Sequence, residues 1–90
     1  MGFEYKLSVE HADQGALTDI LRYLPGIREL KPMHYEVRDP PSSVGMPEAS
    51  LSVEPYGLYL CCFGGRRREF LGILVDRMTA RFDSVLIEEL

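Results

Sequence analysis

The sequence predicts an α+β fold, a two-layer sandwich in which two helices cover one face of a mainly antiparallel or mixed sheet. Apolar and polar residues alternate with a period of two in several segments, and two other segments carry apolar residues at helical spacing. Glycine and proline separate these segments. Ninety residues can bury one core but not two, so we expect a single domain over residues 1–90.

Composition and charge restrict the partners that the chain is expected to have. With 46% hydrophobic and 27% charged residues, the chain has the composition of an ordinary globular protein. Its formal net charge of −4 gives no long-range attraction for nucleic acid or for an anionic membrane, so we expect neither as a partner. The sequence has no apolar run near the roughly 20 residues that span a bilayer, and its start does not resemble a signal peptide. We therefore expect a cytoplasmic protein.

The first part of the chain is predicted to form a strand, a helix and a second strand. Residues 3–10 alternate apolar and polar side chains, which is typical of a strand with one buried face. Asp13 can cap a helix whose apolar positions fall between residues 16 and 24. Alternation returns over residues 33–38, where Pro32 obscures the start of the strand.

The rest of the chain is predicted to contain a loop, a hairpin, a helix and a last strand. Residues 39–49 hold three prolines, a glycine and two serines, which predicts a mobile surface loop. A Glu-Pro-Tyr-Gly turn joins predicted strands at 51–54 and 58–63 into a hairpin. A helical stripe covers residues 70–78, in a helix expected to end around Phe82-Asp83, and residues 84–90 form the last strand.

The predicted order is thus βαβββαβ, two strand-helix-strand units around a hairpin, which is related to the ferredoxin-like plan. Alternation assigns one set of side chains to the helix-covered face of the sheet. That set is Phe3, Tyr5, Leu7, Val9, Tyr35, Val37, Leu51, Val53, Leu58, Leu60 and Val85. The opposite face must meet water or a partner.

The strand at 58–63 is apolar on both faces, which indicates that its second face is also covered. On the face away from the helices, it presents Tyr59, Cys61 and Phe63. We expect these three side chains to form a protein interface, with a second copy in a homodimer or with another protein, because large rings contribute strongly to association. The leading hypothesis is therefore a non-catalytic interaction or assembly domain. The loop at 39–49 could instead cover this face within the monomer.

A second hypothesis concerns the segment Gly64-Gly65-Arg66-Arg67-Arg68, between a strand and a helix. Glycine-rich backbone, a helix N-terminus and arginine side chains can together bind a phosphate or carboxylate. This predicts a regulatory domain that binds an anion or a small acidic ligand at Gly64, Gly65, Arg66, Arg67 and Arg68. A solvated basic helix start, offset by Glu69, is the alternative interpretation. Neither the dinucleotide-binding nor the Walker glycine pattern is present.

The sequence assigns no catalytic residue, metal or cofactor. His34 beside Glu36 could act as a base for Cys61 if the strand order brought them together. The favoured interpretation of these charges is pairing on a solvated face, among Glu4, Lys6, Glu36 and Arg38. The two cysteines, Cys61 and Cys62, are adjacent, which suits neither a disulfide framework nor a zinc site.

Overall fold

Two helices and a six-stranded antiparallel sheet make up residues 2–40, 42 and 44–90, the part of the chain that the computed structural model describes. The elements are β1 (Phe3–Ser8), α1 (Gln14–Arg22), β2 (Ile27–Lys31), β3 (His34–Val37), β4 (Ala49–Glu54), β5 (Gly57–Cys62), α2 (Arg67–Thr79) and β6 (Leu86–Glu89). The strand order in the sheet is β2-β3-β4-β5-β1-β6. The α+β class and the β4–β5 hairpin are as predicted.

The predicted order βαβββαβ was wrong by one strand, because β2 was not anticipated. This strand lies at the edge of the sheet and pairs only with β3, so four of its five residues are exposed. An edge strand that buries little carries no alternating hydrophobic pattern, and its sequence Ile-Arg-Glu-Leu-Lys has none. The pairing also shifts register between Glu29 and Lys31, which is typical of a β-bulge. Residues 32 and 33 form the turn into β3.

The helix boundaries follow from local capping and from the turns that come next. Asp13 caps α1 as predicted, because its side chain accepts a hydrogen bond from the Gly15 N–H at 2.9 Å. Helix α2 ends at Thr79, earlier than the predicted Phe82-Asp83. Its last turn tightens there, since the Arg81 N–H donates to the Met78 carbonyl three residues before it.

Both helices pack on one face of the sheet and share a single core. The core contains the apolar side chains of α1, Leu74 and Met78 of α2, and the helix-facing strand residues. Eight of the predicted helix-facing residues are buried there: Tyr5, Leu7, Tyr35, Val37, Leu51, Val53, Leu58 and Leu60. Phe3 was expected with them but is 42% exposed, because it lies at the end of β1. Val9 and Val85 are partly buried against the core.

The segment predicted as a loop contains no helix or strand between residues 39 and 48 where the structure describes it, and β4 begins at Ala49. Pro41 and Ser43 lie outside the described residues. Arg38 Nη1 donates to the Gly45 carbonyl at 2.8 Å, which links the segment to the residue that precedes it. Val44 and Met46 remain 93% and 69% exposed, so the loop does not bury these side chains on the sheet. The mobility of the loop stays a prediction.

Gly57 is required at the start of β5, where the β4–β5 turn lies beside β1. Its φ of +150° lies in a region that residues with a side chain rarely adopt, and a Cβ there would overlap the Leu7 carbonyl oxygen. We expect Gly57→Ala to lower the free energy of unfolding by about 2 kcal/mol or more. Urea denaturation measures this change.

Gly72→Ala is the matched control for Gly57→Ala. Gly72 lies on the exposed side of α2, where an added Cβ meets open space. The same substitution should raise stability there by about 0.5–1 kcal/mol, because alanine is the better helix former. Equal effects at the two glycines would contradict the assigned turn geometry.

Candidate functional site

One face of the sheet has no helix over it among the described residues, and we call it the open face. Alternation along the strands places Glu4, Lys6, Cys61 and Tyr59 on it, together with residues of β3 and β4. The exposed side chains of Leu30 and Leu86 lie toward its two edges, in β2 and β6. The open face is therefore a mixed surface with apolar side chains at its centre and at both edges.

Tyr59 and Cys61 lie on the open face, as alternation predicted, and Phe63 follows directly after β5. All three side chains are half-buried. Part of that burial comes from the N-terminal segment, because a Cβ added at Gly2 would lie 2.6 Å from Cys61 Sγ and 3.1 Å from the Phe63 ring. Val44 and Met46 of the loop are not buried here, whereas Gly2 lies against Cys61 and Phe63.

The charges of the open face are mostly satisfied by neighbours. Glu36 is 8% exposed and accepts from Arg38 Nε at 2.9 Å, an ion pair between β3 and the residue that follows it. Glu4 accepts a hydrogen bond from the Tyr59 hydroxyl across β1 and β5. The Lys6 ammonium lies 4.6 Å from the centre of the Tyr56 ring. Of these four charges, only Glu36 and Arg38 pair with each other, and they lie two residues apart in the chain and not on neighbouring strands, whereas Glu4 and Lys6 have aromatic partners.

The histidine and cysteine of the open face are not brought together. Strand β4 lies between β3 and β5, so His34 and Cys61 are separated by roughly 10 Å or more. The registers also place His34 opposite Ser52 and Cys61 opposite Ser50. Burial, with a contribution from the Glu4 charge, raises the pKa of Cys61, which disfavours the reactive thiolate. This pair offers no base and nucleophile.

The three arginines at the start of α2 point to different surroundings. Arg66 binds both carboxylate oxygens of Glu69, at 3.0 and 2.7 Å, and also pairs with Asp39. These bonds raise the pKa of Arg66, and the hydrogen bond from Arg66 lowers that of Glu69. Arg67 stacks on the Phe3 ring at 3.7 Å and donates to the Tyr5 hydroxyl at 3.2 Å.

Arg68 is exposed, and no ion pair joins it to the part of the chain that is described. Of the glycines before it, Gly65 is exposed, whereas Gly64 lies against the Glu48 carboxylate. The segment Gly64–Arg68 is thus contiguous in sequence, but its arginines do not converge on one point.

A cavity of about 190 Å³ lies beside the start of α2, between this helix, the turn that follows α1 and the ends of β3 and β5. Its walls include Leu24, Val37, Cys62, Phe70 and Ile73. Exposed charged residues, Asp39, Arg66 and Glu69, border its opening. This cavity was not predicted from the sequence, because the lining residues come from segments far apart in the chain.

Glu48 lines the cavity, and backbone hydrogen bonds define its position. Its N–H donates to the Val37 carbonyl at 2.8 Å, and its carbonyl accepts from the N–H groups of Phe63 and Gly64 at 2.8 and 3.2 Å. A Cβ at residue 64 would overlap the Glu48 carboxylate, so a larger residue there would displace this side chain. Within the described residues, the Glu48 carboxylate has no hydrogen bond and no ion pair.

Cys62 forms part of the cavity wall as a neutral thiol. It is 1% exposed, and this burial raises its pKa to about 11. It therefore behaves as an apolar group at neutral pH. Alternation correctly predicted that Cys61 and Cys62 point to opposite faces, with one of them in the core.

Comparisons with protein-family models, curated proteins and solved structures find no match to this chain. Neither helix of the described part is long and apolar enough to cross a membrane. The same residues contain no group of three or more His, Cys, Asp or Glu side chains arranged to hold a metal ion.

The hydrogen bond between Tyr59 and Glu4 makes a testable prediction about pH. This bond, with partial burial, raises the pKa of Tyr59 to about 12. Because the folded-state pKa lies above the ordinary value of about 10, the bond stabilises the fold fully below pH 10 and is lost as the pH rises toward 12. We expect Glu4→Gln to lower the pKa of Tyr59, measured from its ring ¹³Cζ shift.

Tyr59→Phe assigns the resonance in that titration, since it removes one of five tyrosine signals. A Tyr59 pKa that is near 10 in the native protein, or that does not respond to Glu4→Gln, would contradict the hydrogen bond between Tyr59 and Glu4.

Proposed function

We propose that this chain is a small non-catalytic interaction or assembly domain that binds a second copy of itself through the open face, centred on Tyr59, Cys61 and Phe63. Another protein is the alternative occupant of the same face. The supporting observation is a six-stranded sheet with both helices on one side, whose other side holds half-buried aromatic and thiol groups. Such rings bury large areas on association and are enriched in interfaces.

Charged side chains of the open face bind other side chains of the same chain, which favours a role as an interaction surface. Burying a charge without a partner is costly, so a face that is covered by a partner needs its charges matched in advance. Glu36 is paired with Arg38, and Glu54 accepts from the Ser52 hydroxyl at 3.0 Å. The buried side-chain nitrogen and oxygen atoms of the described residues all have hydrogen-bond partners. Glu36 and Glu54 would therefore keep these bonds when a partner covers the face.

Solution mass tests the proposal directly. Light scattering coupled to size exclusion should give twice the monomer mass, and Tyr59→Lys should shift the protein to monomer by placing an ammonium group at the centre of the interface. Leu30→Lys is a second variant, because Leu30 is 57% exposed and borders the same face.

Tyr23→Lys is the matched control in that experiment. Tyr23 is 74% exposed at the end of α1, on the helix side of the molecule, so its replacement should leave the mass unchanged. A wild-type monomer at every concentration would exclude the homodimer, and a dimer that survives both open-face substitutions would place the interface elsewhere.

The second candidate is the anion- or small acidic-ligand-binding regulatory domain, with the ligand at Gly64–Arg68. One observation favours it: the N-cap of α2 is Arg66, whose side chain makes no capping hydrogen bond, so an anion could bind the first-turn N–H groups. Its affinity would be limited, because Arg66 already binds two carboxylates and the ligand would compete with them.

Phosphate and sulfate should raise the melting temperature if the second candidate is correct, compared with sodium chloride at equal ionic strength. The double variant Arg66→Ala, Arg67→Ala should abolish this rise. Arg81→Ala, which removes an exposed arginine in the turn after α2, should retain it. Equal melting temperatures in all three salts would rule the candidate out.

Two finer features are part of the proposal. The first is a ferredoxin-like arrangement: the run β4-β5-β1-β6 contains β1 between the two strands that α2 connects, and the β2–β3 hairpin extends the sheet. The second is a cytoplasmic location, supported by the two free cysteines, since disulfides are rare in that compartment.

A further inference from the structure

The cavity beside the start of α2 is distinct from the open face. It lies on the helix side of the sheet, and Val37 and Cys62 form its floor with Leu24, Phe70 and Ile73 around it. Concave sites with apolar walls and a few polar groups at the opening are the usual form of small-molecule sites. What such a cavity accepts depends on its size and on the polar groups that still lack a partner.

The charges around the cavity are unequally satisfied. Arg66 binds Asp39 and Glu69, and Arg67 binds the Phe3 ring and the Tyr5 hydroxyl. Arg66 would have to give up a carboxylate to bind an anion, whereas Arg67 has only a ring and a hydroxyl as partners. The Glu48 carboxylate has no such bond within the described part of the chain. Three backbone hydrogen bonds hold Glu48 in position, and Gly64, which has no side chain, leaves room for its carboxylate.

From these observations we propose that the cavity binds a small primary amine with an aliphatic or aromatic body, whose ammonium group pairs with Glu48. The volume of about 190 Å³ suits such a body, since an apolar cavity of about 150 Å³ is enough for benzene. The ligand charge is opposite to that of the acidic ligand of the second candidate. The site is also independent of the open face, so either proposal can fail without the other.

Three probes with one carbon skeleton test the charge: phenethylamine, 2-phenylethanol and phenylacetate. The amine should raise the melting temperature of the full chain by about 4 °C or more near saturation, and the other two should have little effect. In methyl NMR spectra, the amine should shift the signals of Val37, Leu24 and Ile73, which line the cavity, more than those of other methyl groups.

Glu48→Gln keeps the shape of the side chain and removes its charge, so it should weaken amine binding at least tenfold. Glu54→Gln is the matched control, because Glu54 is also partly buried but lies on the opposite face of the sheet, and it should bind the amine as the wild type does. Ile73→Phe, which narrows the cavity, should also weaken binding and does not alter the charge.

Several results would overturn the proposal. They are shifts spread over the surface rather than at the cavity methyls, equal binding of amine and alcohol, or amine binding that Glu48→Gln leaves unchanged. Binding of phenylacetate in place of phenethylamine would also overturn it, and would support the acidic ligand of the second candidate. No response to any of the three probes would show that the cavity is a packing feature without a small-molecule ligand of this class.

Discussion

The pairing of β1 with β5 determines the rest of the sheet. Residues 3–8 align with residues 57–62, and β6 then adds to the other edge of β1. Because β5 and β6 are both antiparallel to β1, they run in the same direction and need a crossover, which α2 supplies. Leu7, in the middle of this arrangement, is completely buried between its neighbours on β5 and β6. The strand that joins β5 to β6 in the sheet is thus β1, from residues 3–8.

Two crossovers on the same side explain why the open face is bare. Helix α1 connects β1 to β2 at the far edge of the sheet, and α2 connects β5 to β6, so both connections contribute their apolar stripes to one core. The other connections are turns and the segment at 39–48, and they contain no helix where the structure describes them. The open face must therefore satisfy its polar groups with its own side chains, as Glu36 and Arg38 do. A surface organised in this way can face water or a partner with little rearrangement.

The strands that could be predicted most clearly from the sequence are those that bury a face in the core, because these carry a regular apolar pattern. Alternation identified β1 and β4, a continuous apolar run identified β5, and the period of two along β5 assigned Cys61 and Cys62 to opposite faces. Strand β2 buries almost nothing and left no periodic signal. The cavity was beyond sequence reasoning for a different reason. The residues that line it come from the turn after α1, the ends of β3 and β5 and the first turns of α2. Only the strand order shows that these segments meet.

The start of α2 shows why adjacent charges in sequence need not form a site. Successive helix residues point about 100° apart, so a triplet of arginines diverges instead of converging on one ligand. Here Arg66 reaches acidic side chains, Arg67 reaches the aromatic residues of β1, and Arg68 reaches solvent. Glu48 is distant from this triplet in sequence, yet the backbone of Phe63 and Gly64 brings it to the same cavity. A binding site follows from the groups whose bonds remain unmade after folding, and the Glu48 carboxylate is one of them.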